Sequence, residues 1–288
     1  MTRRFSIMAR KVIFCLALFL FAPIADQLHA QAPQSDRPYL VLYAFEAEGK
    51  LLTEKMTIEK TEKILGRTVQ IGQLADEKVV LAESGIGMTN AAMTTQKLID
   101  TFHPRAIIFS GIAGAVDTSI HIGDITVCRV WSEHDYGYIG KDSFRVESIE
   151  AFDPARDSIA EISYYTVDSA LYATAEKLTT TDMEFARIGD RLPKLVVGGA
   201  GASGNMFIDN IDKRLWLSSR FHALVVDMES AAVAQVGTVN GVPFIIFRSA
   251  SDLAGGSGSS TATNEIDQFF RVAADNAAKV VLTYLQIL

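Results

Sequence analysis

Cysteine is nearly missing from this sequence: the 288 residues hold two, Cys15 and Cys128. A metal centre built on thiolates is thereby excluded. Once the first thirty residues are set aside only Cys128 remains, so no disulfide can form within the chain and stability must come from the core. Histidine is scarce as well, with five, and no two are spaced to put a pair of ligands on one helix face. His121, His134 and Asp135 therefore read as polar positions rather than metal ligands. Basic tracts are absent, and the formal charge of −7 argues against a nucleic-acid partner, which would need clustered Lys and Arg against phosphate. With 7 Pro, 20 Gly, 49% apolar and 21% charged residues, the composition is that of an ordinary globular protein. No internal repeat occurs, and the only compositionally biased stretch is the Gly/Ser run 255–260, which reads as a flexible loop.

Long apolar runs are also lacking, with one exception at the start. Arg3, Arg4, Arg10 and Lys11 precede an almost wholly apolar segment, Val12 to Ala25, and Ala30-Gln31-Ala32 offers small residues at the spacing a signal peptidase reads. Residues 1–30 thus read as a cleaved secretory signal, cut after Ala30 or Ala32, and residues 31–288 as an exported domain, periplasmic or secreted, with no membrane attachment after processing. The alternatives are a retained anchor, for which the run falls short of the roughly 20 residues that span a bilayer, and a buried helix. Arg3-Arg4 resembles a twin-arginine export pair only weakly.

Beyond residue 38, short apolar runs alternate with helical patterns. Strands are expected at Tyr39 to Tyr43, Thr68 to Gln73, Lys78 to Ala82, Ala106 to Phe109, Ile125 to Trp131, Lys194 to Val197, Ala223 to Val226 and Pro243 to Phe247. Helices are expected at Glu46 to Met56, Gly87 to Phe102, Asp168 to Leu178, Asp209 to Ser218, Glu229 to Thr238 and Asn264 to Leu285. Asp76-Glu77 is placed as a hairpin turn. Residues 132–167 mix aromatic and charged side chains without a period and suit an excursion over the active face. The order predicts one α/β domain with a central mixed sheet flanked by helices.

In open α/β sheets ligands bind beyond the carboxyl ends of strands. The residues there are Glu46 and Glu48, Ser84 to Gly87, Ser110 to Gly114, Ala202 to Phe207, Asp227-Met228-Glu229, and Arg248 to Asp252. Taken singly, a glycine turn or a carboxylate at a helix start has a structural explanation. Together they describe a crevice with several acids and one Arg, suited to a neutral, hydroxyl-rich ligand that needs acid and base catalysis rather than to a polyphosphate.

Three of these segments, Val226-Asp-Met-Glu-Ser-Ala-Ala-Val233, Arg248-Ser-Ala-Ser-Asp252 and Glu83-Ser-Gly-Ile-Gly87, resemble the signatures of the nucleoside phosphorylase and nucleosidase superfamily. Within it the chain is most similar to 5′-methylthioadenosine/S-adenosylhomocysteine nucleosidases and their relatives, plant vegetative storage proteins included. The resemblance runs from about Leu40 to the C-terminus. It implies the three-layer nucleoside phosphorylase-like fold, a homodimer or higher homo-oligomer, a purine nucleoside as ligand, no cofactor, and cleavage of a ribosyl N-glycosidic bond. It also implies roles: Glu229 for the ribose hydroxyls, Met228 against the sugar, Phe207 and Ile208 against the base, Asp252 as the acid at purine N7, Glu48 as the base for water, and Ser251 and Arg248 as supports of the Asp252 loop. The places where the phosphorylases hold phosphate read Phe109 and Ile112, which implies a hydrolase. A phosphate-dependent purine nucleoside phosphorylase and a non-catalytic binding or storage protein are the alternatives.

Overall fold

The computed structural model describes residues 36–141 and 143–288, which belong to one unit; the expected signal segment, residues 1–30, lies outside the described residues. The chain begins with β1 (Tyr39–Tyr43) and α1 (Glu46–Lys55). A meander comes next: β2 (Thr57–Ile64), β3 (Arg67–Leu74) and β4 (Glu77–Glu83). Then come α2 (Met88–Phe102), β5 (Ala106–Ala115), β6 (Ile125–Val127) and β7 (Val130–Glu133). The middle region holds β8 (Gly137–Ile139), β9 (Phe144–Val146), β10 (Ile149–Asp153), β11 (Ser158–Ile162), β12 (Tyr165–Thr166) and α3 (Ser169–Lys177). The last part holds β13 (Leu195–Val197), β14 (Ala200–Ser203), α4 (Ile211–Phe221), β15 (Ala223–Asp227), α5 (Ser230–Val239), β16 (Phe244–Asp252) and α6 (Ala262–Leu285).

Twelve strands form one mixed sheet in the order β12-β7-β14-β15-β5-β1-β4-β3-β2, with β16 pairing β5 and β6, and β13 pairing β6. Neighbours β1, β4, β5 and β16 run parallel, and their residues are buried on both faces, which is why they read as unbroken apolar runs. The helices pack over the sheet in two touching pairs, α1 with α6 and α2 with α5. The predicted α/β domain with a mixed central sheet is therefore the observed one.

Five local expectations are corrected. Strand β2 is not among the expected strands: its sequence TIEKTEKI is almost wholly exposed, because it is the edge strand and carries charge instead of an apolar face. The hairpin turn between β3 and β4 falls on Ala75-Asp76, both at positive φ, one residue before the expected place. The run Ile125 to Trp131 is split into β6 and β7, since Val127 and Val130 pair with different partners. The stretches 110–115 and 248–252 are not turns after strands but the continuations of β5 and β16, which pair along almost their whole lengths. Residues 132–167 hold two antiparallel hairpins, β8-β9 and β10-β11, and contribute nothing to the wall of the cavity at the strand ends.

Candidate active site

Continuation of β5 through two glycines needs a reason, because Gly within a strand weakens it and marks a close approach of other groups. A Cβ on Gly111 would run into Arg248 Nη1 and the Glu48 carboxylate. One on Gly114 would lie 2.8 Å from Asp252 Oδ1. The bare backbone of β5 is thus what lets charged side chains from α1 and β16 meet in the interior.

At the centre is Arg248, fully buried on β16. Its Nε lies 2.7 Å from Asp227 Oδ2 and 3.0 Å from Ser230 Oγ, its Nη2 lies 3.4 Å from Glu229 Oε2, and its Nη1 lies 3.7 Å from Glu48 Oε1. The guanidinium stacks 4.0 Å from the centre of the Phe109 ring. One cation is therefore shared among three buried carboxylates, an arrangement in which removing the Arg would leave uncompensated charge. Arg248 supports the carboxylates and not, as expected, the Asp252 loop. Phe109 is likewise not at the cavity surface but beneath the guanidinium.

Each carboxylate is held from several sides. Glu48, in the first turn of α1, accepts from Ala44 N at 2.5 Å and from Ile112 N at 2.8 Å. Burial raises its pKa above the ordinary 4.5, against the pull of Arg248 and of those two N–H groups. Glu229 accepts from Gly87 N at 2.9 Å, and burial again pushes its carboxyl well up, opposed by Arg248. Asp227 accepts from Ser203 Oγ at 2.5 Å and from Ser230 Oγ, fixing the turn between β15 and α5. It stands in the Asp-Met-Glu run, yet its role has no sequence signature, because nothing in the sequence shows that Ser203 and Arg248 converge on it.

Asp252 ends β16 and is 1% exposed. Ala254 N donates to its Oδ1 at 2.8 Å and Ser251 Oγ to its Oδ2 at 2.9 Å, while Ser251 also reaches Ala113 O at 3.3 Å. Burial raises the Asp252 carboxyl from 3.8 to about 6, outweighing both hydrogen bonds. The Gly/Ser loop beyond it is tied to α6, since Leu253 N and Ser257 N each donate to the Glu265 carboxylate at 2.9 Å.

These groups open onto one cavity of about 260 Å³. Glu48, Phe207, Ile208, Met228, Glu229, Ser251 and Asp252 line it, so seven of the eight site residues expected from the sequence are brought together, with Arg248 behind them. Apart from Asp227, the rest of the wall is apolar, including Phe45, Ile86, Ile112, Met206 and Ile266, and it holds no Lys, Arg or His. Ile112 forms a small cluster with Phe45, Ile266, Phe270 and two alanines of α6. Ile86 and Met206 fall within strand-end segments expected from the sequence, whereas Phe45 and Ile266 escape sequence reasoning, because an isolated apolar residue at a helix start or within a helix carries no signal that separates wall from core.

His134 is fully buried, both ring nitrogens lack a hydrogen-bond partner, and burial lowers its pKa to about 4, so the ring is neutral. Among the described residues no group of three or more His, Cys, Asp or Glu side chains is placed to hold a metal ion.

The chain is thus an α/β protein whose mixed sheet presents four buried carboxyl groups, Glu48, Asp227, Glu229 and Asp252, at its strand ends, in an otherwise largely apolar cleft with no basic side chain on its wall. Residues 38–286 match the family model described as the phosphorylase superfamily, and the chain belongs to that family. A 5′-methylthioadenosine/S-adenosylhomocysteine nucleosidase of Bacillus anthracis is 30% identical over 247 residues, covering 85% of this chain and 97% of the relative. The solved structure of the nucleosidase of the same name from Neisseria meningitidis, in complex with methylthio-immucillin-A, has a TM-score of 0.70 and 26% identity, covering 88% of this chain and all of that one. The futalosine hydrolase of Helicobacter pylori, 24% identical with a TM-score of 0.70 and covering 88% of this chain and 98% of that one, shares the fold.

Proposed function

We propose that this chain is an N-ribosyl hydrolase that cleaves the N-glycosidic bond of a purine nucleoside of the 5′-methylthioadenosine or S-adenosylhomocysteine kind, releasing the free base and a ribose sugar. The observation that carries the reading is the pairing, on one cleft without a basic side chain on its wall, of a carboxyl group raised to about 6 with a second buried carboxylate held by a guanidinium and two backbone N–H groups. Cleavage of a ribosyl bond through an oxocarbenium-like state needs a proton for the departing base and a base for the attacking water. Asp252 supplies the proton at purine N7, so that the base leaves neutral. Glu48 orients and deprotonates water near C1′, and Arg248, behind the wall with its Nη1 3.7 Å from Glu48 Oε1, steadies that carboxylate. Glu229 takes the ribose hydroxyls, Met228 lies against the sugar, Phe207 and Ile208 flank the base, and Ser251 steadies Asp252.

A phosphate co-substrate fits badly. Desolvating its dianion beside apolar Ile112 would cost several kcal/mol. Arg248 is already shared among three carboxylates and offers phosphate no net positive charge. Base release from a panel of purine nucleosides, 5′-thio-nucleosides and futalosine-type nucleosides, with and without phosphate, tests the reading. Strictly phosphate-dependent release would make the protein a phosphorylase, and no release at all would make it a binding or storage protein.

The proposal extends to place and assembly. The charge and length pattern of residues 1–30 supports export to the periplasm or beyond. Among the described residues no helix is long and apolar enough to cross a membrane. Ile86, Met206 and Phe207 are half exposed at the cavity rim, and this apolar edge supports a homodimer or higher homo-oligomer.

A further inference from the structure

The start of α2 has no cap of its own. Gly87 stands at the cap position without a side chain, and the first turn carries no acid. Backbone N–H groups at a helix start must nevertheless be paired. Here two of them are paired from distant segments: Gly87 N donates to Glu229 Oε1 at 2.9 Å, and Met88 N donates to Asn205 Oδ1 at 3.0 Å. Asn205 is itself tethered, since its own N–H donates to Asp135 Oδ2 at 2.7 Å. The two residues after it, Met206 and Phe207, line the cavity. One loop residue thus bridges the segment after β7, the start of α2 and the base side of the cleft.

We propose that Asn205 is a positioning residue for the sugar subsite: by capping α2 through Met88 it fixes the Gly87 N–H that orients Glu229, and so ties the base loop to the alignment of the sugar. This rests on the sugar-binding role proposed for Glu229. That carboxylate is held between Gly87 N on one oxygen and Arg248 on the other, and a helix start that relaxes would release the first and let it turn toward the guanidinium. The place needs a short side chain with an oxygen that accepts from Met88 N, which the Asn205 amide supplies. Asn205 touches no reacting atom.

The test separates this role from a merely structural one. Binding of methylthio-immucillin-A and of adenine is measured by calorimetry, and turnover of 5′-methylthioadenosine by base release, for the wild type, Asn205→Ala, Glu229→Ala and the double variant. Asn205→Ala is expected to weaken the sugar-bearing inhibitor and to lower kcat/KM about tenfold, less than the roughly 10²-fold that a 1 Å misplacement can cost, while adenine binds within about twofold of wild type because the base does not meet Glu229. In the Glu229→Ala background the same change should add almost nothing, since the two act as one unit. Asn205→Asp, which keeps the acceptor at a helix start that favours negative charge, should restore most of the activity. Asn205 lies at the surface, so the alanine variant is expected to fold, and Asn205→Ser is the second truncation if it does not. A parallel loss of adenine binding would assign Asn205 to the base loop alone and overturn the proposal, as would full additivity with Glu229→Ala. If the wild type releases no base from any nucleoside, it is the hydrolase reading that fails; an active wild type with an indistinguishable Asn205→Ala overturns this inference alone.

Discussion

Replacing Asp252 by Asn removes one proton and almost nothing else. In the wild type, Ala254 N donates to one carboxylate oxygen and Ser251 Oγ to the other. The amide oxygen of Asn can take the Ala254 bond, and the Ser251 hydroxyl can turn its one proton to Ala113 O, 3.3 Å away, and accept from the amide NH₂. Folding and nucleoside binding are therefore expected to survive. Catalysis is not. Burial lifts the wild-type carboxyl from 3.8 to about 6, so at neutral pH the protonated acid is roughly a hundredfold more abundant than on a free Asp side chain. The amide has no proton to give at any pH, and base release should fall by roughly 10²- to 10⁴-fold, the range of general-acid catalysis, with KM little changed. The sign of the pH effect comes from the same group. Because the acid must be protonated, wild-type kcat/KM should fall as pH rises through about 6, and this limb should vanish from the residual activity of the variant. A carboxyl raised in the folded state stabilises the fold fully below its unfolded pKa and loses that contribution as pH rises through the folded value. Thermal unfolding at pH 8 should accordingly find Asp252→Asn at least as stable as wild type, with the difference gone below pH 4. Stopped assays of free base between pH 5 and 9, with calorimetric binding of the nucleoside, measure both effects. Unchanged turnover, or an alkaline limb that persists in the Asp252→Asn variant, would refute the assignment and leave Asp252 as a cap for the adjoining loop.

Glu48→Gln should abolish base release, and the wild type should work in phosphate-free buffer and yield free ribose sugar; a ribose 1-phosphate product, or wild-type rates in the Gln variant, would contradict the hydrolase reading. Gly111→Ala should cost about 1–3 kcal/mol and most of the activity, because its methyl group would run into Arg248 and Glu48; chemical denaturation shows whether it does, and an unperturbed variant would mean that β5 can move aside. N-terminal sequencing of the exported protein should begin after Ala30 or Ala32, and a chain that starts at Met1 would rule out cleavage.

The sequence by itself determined the class of fold and most of the chemical groups of the site. The apolar runs at Tyr39 to Tyr43, Ala106 to Phe109 and Pro243 to Phe247 read as strands buried on both faces, because they are too short for helices and lack the polar alternation of a surface strand. Glu48, Glu229 and Asp252 were legible as acids beyond strand ends, alongside Glu46 and Asp227, and it was the family resemblance carried by the segments 83–87, 226–233 and 248–252 that singled them out and implied their roles. Edge strand β2 was not legible, since an exposed edge is selected for charge and its pattern is that of a polar loop. Nor were the continuations of β5 and β16: glycine and serine favour turns locally, and only the approach of Arg248 and Asp252 across the sheet turns Gly111 and Gly114 into strand residues. The sharing of Arg248 among Glu48, Asp227 and Glu229, and the capping of α2 by Asn205, join residues far apart in the chain. Local propensity contains no information about such meetings. They are set when the sheet closes, and with them the desolvation that shifts each carboxyl.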